Sequence, residues 1–237
     1  EMLRSLVGSE MCIRDRKCID PSQVLKNIYS FAKTTVFFSA TLSPMDYFMR
    51  MLGANDALRL KLDMPFPNEK YAIFAREIST RYRDRNYNVP IISESINEFI
   101  NSRDGNYFIF FPSYSYMIDV YEDYSTRFDD EILIQDRSMS EKDAHKFLDK
   151  FDKDTNNTAF VVLGGIFSEG VDLLGDRLIG AMVISVGMPG VGFERNLIKE
   201  HFDKLGLNGF DYSYTYPGIN KVFQAAGRVI RLSLIHI

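Results

Sequence analysis

Residues 107–124 have the sequence YFIFFPSYSYMIDVYEDY, in which an apolar run of strand length leads directly into a stretch with helical spacing. The first five residues are aromatic or β-branched on both faces, as in a strand that helices cover from both sides of a parallel sheet. The same alternation of strand and helix recurs on either side of this stretch. We therefore predict an α/β fold with a parallel sheet flanked by helices and joined by right-handed crossovers.

Six runs of this kind predict strands, and six stretches with helical periodicity predict helices. The predicted strands are 35–39, 71–75, 107–111, 132–134, 159–163 and 181–186. The predicted helices are 45–52, 93–100, 114–124, 141–151, 194–205 and 219–231. Ligands of such sheets bind where strands end and loops begin, so we expect the functional residues in the loops that follow the strands.

The composition is that of an ordinary globular domain. The 237 residues are 46% hydrophobic, which is enough for one sizeable core, and no apolar run is long enough for a membrane span. Two cysteines favour a reducing compartment over a disulfide framework, so we expect a cytoplasmic protein. The net charge of −4 argues against a broad basic surface that coats duplex DNA, but it is compatible with a narrow groove lined by a few basic groups.

Both ends of the chain differ from the sequence beside them. Residues 4–16, RSLVGSEMCIRDR, and residues 232–237, LSLIHI, resemble translated read-through of sequencing adapters. Neither end continues a helical or strand period of its neighbour, so we expect residues 1–16 and 232–237 to be non-native. Without them the chain keeps one cysteine, Cys18, and two histidines, a set too small for a zinc or iron–sulfur site.

The last predicted helix has a polar stripe suited to a multiply charged anion. Gln224, Arg228 and Arg231 follow one another at helical spacing, and two guanidinium groups one turn apart suit an oxyanion better than a single carboxylate. Gly227 in mid-helix costs about 1 kcal/mol relative to alanine, which indicates that another group approaches the backbone closely. The plain alternative is a solvated helix face. The opposite, apolar face carries Ile219, Val222, Phe223, Ala226 and Ile230.

Four sequence motifs follow one another along the chain. They are SATLSP at 39–44, FFPSY at 110–114, GGIFSEGVDL at 164–173 and QAAGRVIR at 224–231. In this order they resemble motifs III, IV, V and VI of the superfamily-two DNA helicases of the DinG/XPD type. The connecting pieces GDRLIG and YPGINKVFQAAGRVIR also resemble the bacterial DinG branch, and the resemblance spans residues 17–231. It implies the second RecA-like motor domain of an ATP-dependent helicase.

For motif VI the resemblance implies contacts with ATP that is held mainly by another motor domain. Arg228 and Arg231 would face the γ-phosphate, where the charge that develops in phosphoryl transfer is spread over the equatorial oxygens. Gln224 would orient the same groups, and Gly227 would allow close approach of the nucleotide. These four residues are the implied catalytic and nucleotide-binding residues of the motif.

For motif V the resemblance implies contacts with both nucleic acid and nucleotide. Adjacent glycines after a predicted strand allow tight turns and close backbone approach. Ser168 would contact a phosphate of the nucleic acid. Glu169, Gly170 and Asp172 would lie at the nucleotide, where the two carboxylates pair with the motif VI arginines or touch the ribose. The alternative is an ordinary strand-to-helix loop with an acidic cap.

For motifs IV and III the resemblance implies contacts with single-stranded DNA. Ser113 stands at a predicted helix start, where free N–H groups bind phosphate, although a simple N-cap explains it equally well. Tyr114 and Tyr116 are candidates for stacking on bases, or else for the core. Ser39 and Thr41 would link the nucleotide state to the DNA. Their strand belongs to the first motor domain in the family and is here without its sheet.

The chain lacks a phosphate loop of the form G-x-x-x-x-G-K-[ST] and a magnesium-binding Asp-Glu-x-His motif. The resemblance therefore implies that residues 17–45 end the first motor domain and residues 46–231 form the second. ATP and Mg²⁺ would be shared with a missing N-terminal half, and the family's iron–sulfur cluster would lie outside this chain. We expect single-stranded DNA as the nucleic-acid partner, along which the full parent would move 5′ to 3′ by the same resemblance. We expect no association with a membrane.

Two other functions stay open from the sequence alone. The first is a module that binds single-stranded nucleic acid without using ATP. The second is a dinucleotide-dependent enzyme, built on the glycines of GMPGVG at 187–192, whose spacing departs from the usual dinucleotide loop. In the first alternative the groove residues bind the nucleic acid and motif VI is only structural.

Overall fold

A sheet of four parallel strands forms the centre of the structure. The computed structural model describes residues 17–63, 71–167, 173 and 177–227. Within them the strands are β1 (Tyr107–Phe111), β2 (Ile132–Ile134), β3 (Thr158–Val162) and β4 (Gly180–Val183). Their order across the sheet is β2-β3-β1-β4, and every pairing is parallel. The predicted α/β fold with a parallel sheet is confirmed.

Helices cover both faces of this sheet. In the described ranges they are α1 (Ser22–Tyr29), α2 (Met45–Met51), α3 (Arg85–Ile100), α4 (Tyr114–Arg127), α5 (Glu141–Leu148), α6 (Phe193–Lys204) and α7 (Tyr216–Ala226). Helices α3 and α4 pack on one face, and α5 and α7 pack on the other. None of these helices combines the length and the apolar composition that a bilayer span requires.

Strand β1 is the centre of the core because helices cover both of its faces. Phe108 and Phe110 lie in a cluster with residues of α5 and α7, whereas Ile109 and Phe111 lie in a cluster with residues of α3 and α4. All four side chains are at most 2% exposed. Burial of a side chain of this size stabilises a fold by about 1.5–3 kcal/mol, so successive residues of both orientations contribute.

The buried side chain of Asn106 fastens the amino ends of three strands together. Its Nδ2 donates to the carbonyl oxygens of Asp152 at 2.6 Å and Arg177 at 3.0 Å. Its Oδ1 accepts from the backbone N–H of Asn157 at 2.7 Å and the hydroxyl of Thr155 at 2.9 Å. Asn106 precedes β1, the middle residues precede β3, and Arg177 precedes β4. One fully buried amide therefore uses all of its hydrogen-bonding capacity to connect these loops.

Two of the six predicted strands are wrong. Residues 35–39 and 71–75 form no strand, and their large side chains are exposed, with Phe38 at 89% and Phe74 at 87%. A strand needs a hydrogen-bonded neighbour, and within the described ranges no strand lies beside either segment. The other four predicted strands are confirmed, although β4 ends at Val183 rather than at residue 186.

The predicted helices are confirmed, with changes at their ends. Helix α3 begins at Arg85 rather than at residue 93, because Asn88, Val89 and Ile92 extend its buried side toward the N-terminus. Helix α1 was not predicted. The last helix begins at Tyr216, directly after a π-helical turn at Asp211–Thr215, and its final predicted residues, 228–231, lie outside the described residues.

The side of α7 that packs on the sheet is not the predicted apolar face. Its buried residues are Gly218 and Ala225, whereas Phe223 is 39% exposed. A Cβ atom on Gly218 would lie 2.8 Å from Cγ1 of Val186, just beyond β4. Small residues therefore decide which side faces the sheet, because only they let the helix axis come this close.

We expect Asn106→Leu to lower the free energy of unfolding by about 3 kcal/mol or more, because the four hydrogen bonds of a fully buried side chain are lost and the N–H of Asn157 and the carbonyl of Arg177 lose this partner. Chemical denaturation followed by circular dichroism measures the effect. The control is Asn101→Leu, at the exposed end of α3, where we expect a change within about 0.5 kcal/mol. Equal effects of the two substitutions would contradict the role of Asn106.

Candidate nucleotide and nucleic-acid site at the carboxyl ends of the strands

The loops that follow β1 and β3 leave the sheet toward opposite faces. After β1 the chain continues into α4, on the same face as α3. After β3 it turns to the other face, where Phe167 is 1% exposed in the cluster with α5. Because β1 and β3 are neighbours, the two loops diverge at the carboxyl edge, which is where open α/β sheets form a crevice. Open α/β sheets bind their ligands at such a point.

Ser113 and Tyr114 form the wall of this crevice that follows β1. Ser113 is the N-cap of α4, and its side-chain oxygen accepts the backbone N–H of Tyr116 at 3.4 Å. The first N–H groups of a helix end are therefore presented together with a hydroxyl group at the end of the central strand. The capping role predicted for Ser113 is confirmed, and its contact with DNA stays a prediction.

Tyr114 is held in place from two sides. Its hydroxyl oxygen accepts a hydrogen bond from Nε2 of Gln135 at 2.7 Å, and the Arg137 guanidinium lies 5.9 Å from the centre of its ring. Burial raises the pKa of its phenol above the ordinary value, the positive charge of Arg137 acts against this, and the carboxylate of Asp136 adds to it. The phenol is therefore neutral at physiological pH and can both donate and accept hydrogen bonds at the crevice.

Tyr116 cannot stack on a base, because its side chain is completely buried. The Arg85 guanidinium covers its ring at 4.5 Å, and burial raises the pKa of its phenol. The sequence allowed either base stacking or a place in the core for Tyr116, and the structure shows that it belongs to the core. Tyr114, which is only partly buried, keeps the other role open.

Gln135 connects both walls of the crevice and was missed by the sequence motifs. It follows β2, is 3% exposed, and accepts the backbone N–H of Val162, the last residue of β3, at 2.8 Å. Its Nε2 reaches across to Tyr114, beyond the end of β1. A Cβ atom on Gly165 would lie 3.2 Å from that nitrogen, so the glycine leaves room for the amide. The only available signal was a polar residue directly after a predicted strand.

The wall that follows β3 begins with Gly164, whose φ of +73° lies in the left-handed region that glycine tolerates best. The side chain of Lys221 on α7 lies against it: a Cβ atom on Gly164 would be 3.2 Å from Cε of the lysine. Lys221 also approaches Gly187, beyond β4, where a Cβ atom would lie 3.6 Å from its Cδ. The sequence analysis did not single out this lysine.

Gln224 and Gly227 lie on α7, the helix that carries motif VI. Gln224 is partly buried, and its neighbour Ala225 is completely buried against the sheet. Gly227 ends the helix with an ordinary right-handed φ of −63°, and a Cβ atom there would lie 3.1 Å from the carbonyl oxygen of Phe223. The beginning of the motif therefore packs on the face of the sheet that α5 also covers.

Six predicted site residues lie outside the described residues. They are Ser168, Glu169, Gly170, Asp172, Arg228 and Arg231. Their roles stay predictions. Within the described ranges, no group of three or more histidine, cysteine, aspartate or glutamate side chains has an arrangement that could hold a metal ion.

Ser39 and Thr41 lie apart from these elements, in the amino-terminal segment. Their hydroxyl groups are 3.1 Å from each other, and the stretch 31–40 is exposed throughout. Helix α2, which follows them in the chain, packs near the start of α7. The ring centre of its Tyr47 lies 5.3 Å from that of Tyr212 and 4.8 Å from that of Tyr216. The described contacts do not bring Ser39 and Thr41 into the crevice.

The family model of the helicase C-terminal domain matches residues 96–233, more than half of the chain. The chain belongs to this helicase family. The matched region contains all four strands, the crevice and helix α7. Three of the four motifs that carry the resemblance, IV, V and VI, lie within it, whereas motif III at 39–44 lies outside.

Individual helicases are similar over most of this chain. The chain is 24% identical over 238 residues to the XPD/RAD3 helicase subunit of general transcription and DNA repair factor IIH from Saccharomyces cerevisiae, covering 90% of this chain and 30% of that protein. It is 26% identical over 203 residues to a probable ATP-dependent helicase of Methanocaldococcus jannaschii, covering 78% of this chain and 30% of that protein. The chain therefore spans less than a third of the length of these relatives.

The fold is also that of a known helicase. A solved XPD helicase structure superposes with a TM-score of 0.61 at 15% identity, over 89% of this chain and 39% of that chain. At this identity the likeness shows the fold alone. It confirms the predicted RecA-like arrangement of a parallel sheet between two layers of helices.

We expect Gln135→Leu to lower the free energy of unfolding by about 2 kcal/mol, because the N–H of Val162 and the hydroxyl of Tyr114 lose their common partner. Tyr114→Phe alone should cost about 1 kcal/mol. Since the two side chains are in contact, the double variant should lose less than the sum of the single variants. Thermal or urea unfolding of all three proteins measures this coupling, and strictly additive losses would show that the hydrogen bond contributes nothing.

Proposed function

We propose that this helicase domain is the second motor domain of an ATP-dependent DNA helicase that moves 5′ to 3′ along single-stranded DNA in repair or replication. The observation that carries the proposal is the divergence of the loops after β1 and β3 at the carboxyl edge, because motif IV follows one of these strands and motif V follows the other. Helix α7, which carries motif VI, lies on the same side of the sheet as the motif V loop. The family membership and the helicases similar to this chain support the same function.

In this function the domain contributes to ATP hydrolysis without holding most of the ATP. Arg228 and Arg231 reach the γ-phosphate, Gln224 orients them, and Gly227 leaves room for the nucleotide. A positioned arginine stabilises the charge that develops on the transferred phosphoryl group, which is worth roughly 10³–10⁵ in rate. Glu169, Gly170 and Asp172 complete the nucleotide side of the cleft.

The DNA side of the proposed site lies on the loops after the strands. Ser113 and Ser168 bind phosphates of the single strand, and the partly exposed ring of Tyr114 offers a face for stacking. Ser39 and Thr41 contact the strand from the other motor domain. The cytoplasmic location expected from the two cysteines is part of the same proposal.

The missing partner in this proposal is the N-terminal half of the same protein. Residues 31–40 are exposed along their whole length, including Val36 at 74% and Phe38 at 89%. Apolar strand-like segments of this kind are usually covered by another surface. We propose that they complete the sheet of the first motor domain, which supplies the phosphate loop and the ligands of Mg²⁺.

We expect Arg228→Ala, made in the full-length parent, to reduce DNA-stimulated ATP hydrolysis by about 10³-fold or more while single-strand binding stays unchanged. Steady-state ATPase rates and fluorescence anisotropy with labelled oligonucleotides measure the two effects. Arg103→Ala, in the exposed turn before β1, is the control and should change neither. Loss of binding with intact ATPase would instead favour a nucleic-acid-binding module that does not use ATP.

We expect the isolated chain to show no ATP hydrolysis above background, with or without single-stranded DNA. The reason is that the γ-phosphate contacts of motif VI act on a nucleotide that the other motor domain must position. A phosphate-release assay with the purified 237-residue chain makes the measurement, with the full-length parent as the positive control. Clear DNA-stimulated turnover by the chain alone would contradict the division of the site between two domains.

A further inference from the structure

Lys221 occupies a slot between two glycines at the carboxyl edge of the sheet. Its Cε lies close to the backbone of Gly164, beyond β3, and its Cδ lies close to the backbone of Gly187, beyond β4. Strands β3 and β4 are the two neighbours of β1, so the lysine stem bridges the loops on either side of the central strand. Any larger residue at position 164 would meet the stem at 3.2 Å and would also be strained by the positive φ.

The ammonium group of Lys221 has no anionic partner in the described part of the chain. No hydrogen bond or ion pair joins it to a described residue, whereas exposed lysines such as Lys146 and Lys199 pair with aspartates on their own helices. Lys221 is partly buried and its stem lies against two glycines, while no counterion for its charge is found among the residues that the structure describes. A lysine whose stem is already held in place loses less side-chain freedom on binding an anion than a freely moving surface lysine does.

The position of Lys221 relates this charge to the proposed site. Gln224, the first residue of motif VI, follows Lys221 by three residues on α7, and residues at this spacing are neighbours on a helix surface. Gly164 is the first residue of motif V. The lysine therefore stands between the two motifs that the proposed function assigns to nucleotide and DNA, although neither motif includes it.

We propose that Lys221 is a phosphate-binding residue of the crevice, whose ammonium group donates to a phosphate oxygen of the bound ligand. The inference rests on the proposed function, because that function supplies the ligand. A lysine acts on phosphate as a compact point charge, so it suits one oxygen rather than a bidentate contact. The phosphate belongs either to the backbone of the single strand or to the nucleotide, and both offer the same chemistry.

A purely structural role for Lys221 is the competing explanation. Lysine stems often cover apolar surface while the ammonium group stays in water, and Leu163 lies beside the same slot. Lys221→Met separates the two roles, because methionine keeps an unbranched apolar stem and removes the charge. Lys221→Arg keeps the charge and tests whether a cation is what matters.

The experiment uses the full-length parent in four forms: wild type, Lys221→Met, Lys221→Arg and the control Lys150→Met. Lys150 follows α5 at the opposite, amino edge of the sheet, where its carbonyl oxygen accepts from Nδ2 of Asn157, and its side chain is exposed. Anisotropy with a labelled oligo-dT without nucleotide gives the dissociation constant for DNA at several salt concentrations. Steady-state hydrolysis at saturating DNA gives KM for ATP, and thermal unfolding checks the fold of each form.

Lys221→Met should weaken one of the two affinities by roughly tenfold, and Lys221→Arg should restore most of it. If Lys221→Met weakens DNA binding and reduces the slope of log K against log salt concentration by about 0.7, the phosphate belongs to the single strand. A raised KM for ATP with unchanged DNA affinity assigns it to the nucleotide. The control should match the wild type in both.

The inference is overturned if Lys221→Met matches the wild type in both affinities while the wild type binds DNA and hydrolyses ATP. It is also overturned if Lys221→Met loses thermal stability and Lys221→Arg shows the same DNA affinity and KM as that destabilised variant. Failure of the wild type itself to bind single-stranded DNA or to hydrolyse ATP would instead refute the proposed function, and the inference with it.

Discussion

The burial of strand β1 on both faces is the constraint on which the rest of the structure depends. Because Phe108 and Phe110 face one helical layer and Ile109 and Phe111 face the other, both layers must be present for the strand to be stable. The same requirement places β1 between β3 and β4, where parallel neighbours satisfy its backbone on both sides. A central strand in this position directs its following loop away from that of β3, so the packing of the core also creates the crevice.

Much of this architecture could be predicted from the sequence, because the relevant forces are local. The strands 107–111 and 132–134 match the prediction at both ends, since continuous β-branched and aromatic runs bounded by polar residues have few alternatives. The segment 35–39 has an equally good strand pattern but forms none. Its pattern describes a buried surface, and burial depends on a partner that the local sequence does not contain.

The position of a site residue could be predicted where it depends on neighbouring residues in the sequence. It could not be predicted where it depends on contacts between distant segments of the chain. Ser113 caps a helix that begins beside it, so its place follows from sequence order. Gln135 and Lys221 act across the sheet, on groups that are 21 to 57 positions away in the chain. The prediction of which side of α7 packs on the sheet was also wrong. Small side chains, rather than hydrophobic ones, decide which side of that helix can approach the strands.

Asn106 and Gln135 fasten the sheet at opposite ends, and this has a mechanical consequence. At the amino edge one amide joins the approaches to three strands, and at the carboxyl edge another joins β2, β3 and the loop after β1. Strands β1 and β3 are linked at both ends and therefore resist sliding past one another. For the motor function proposed above, this implies a domain that keeps its shape while force acts on its loops, so that the travel of each step comes from the joint between domains.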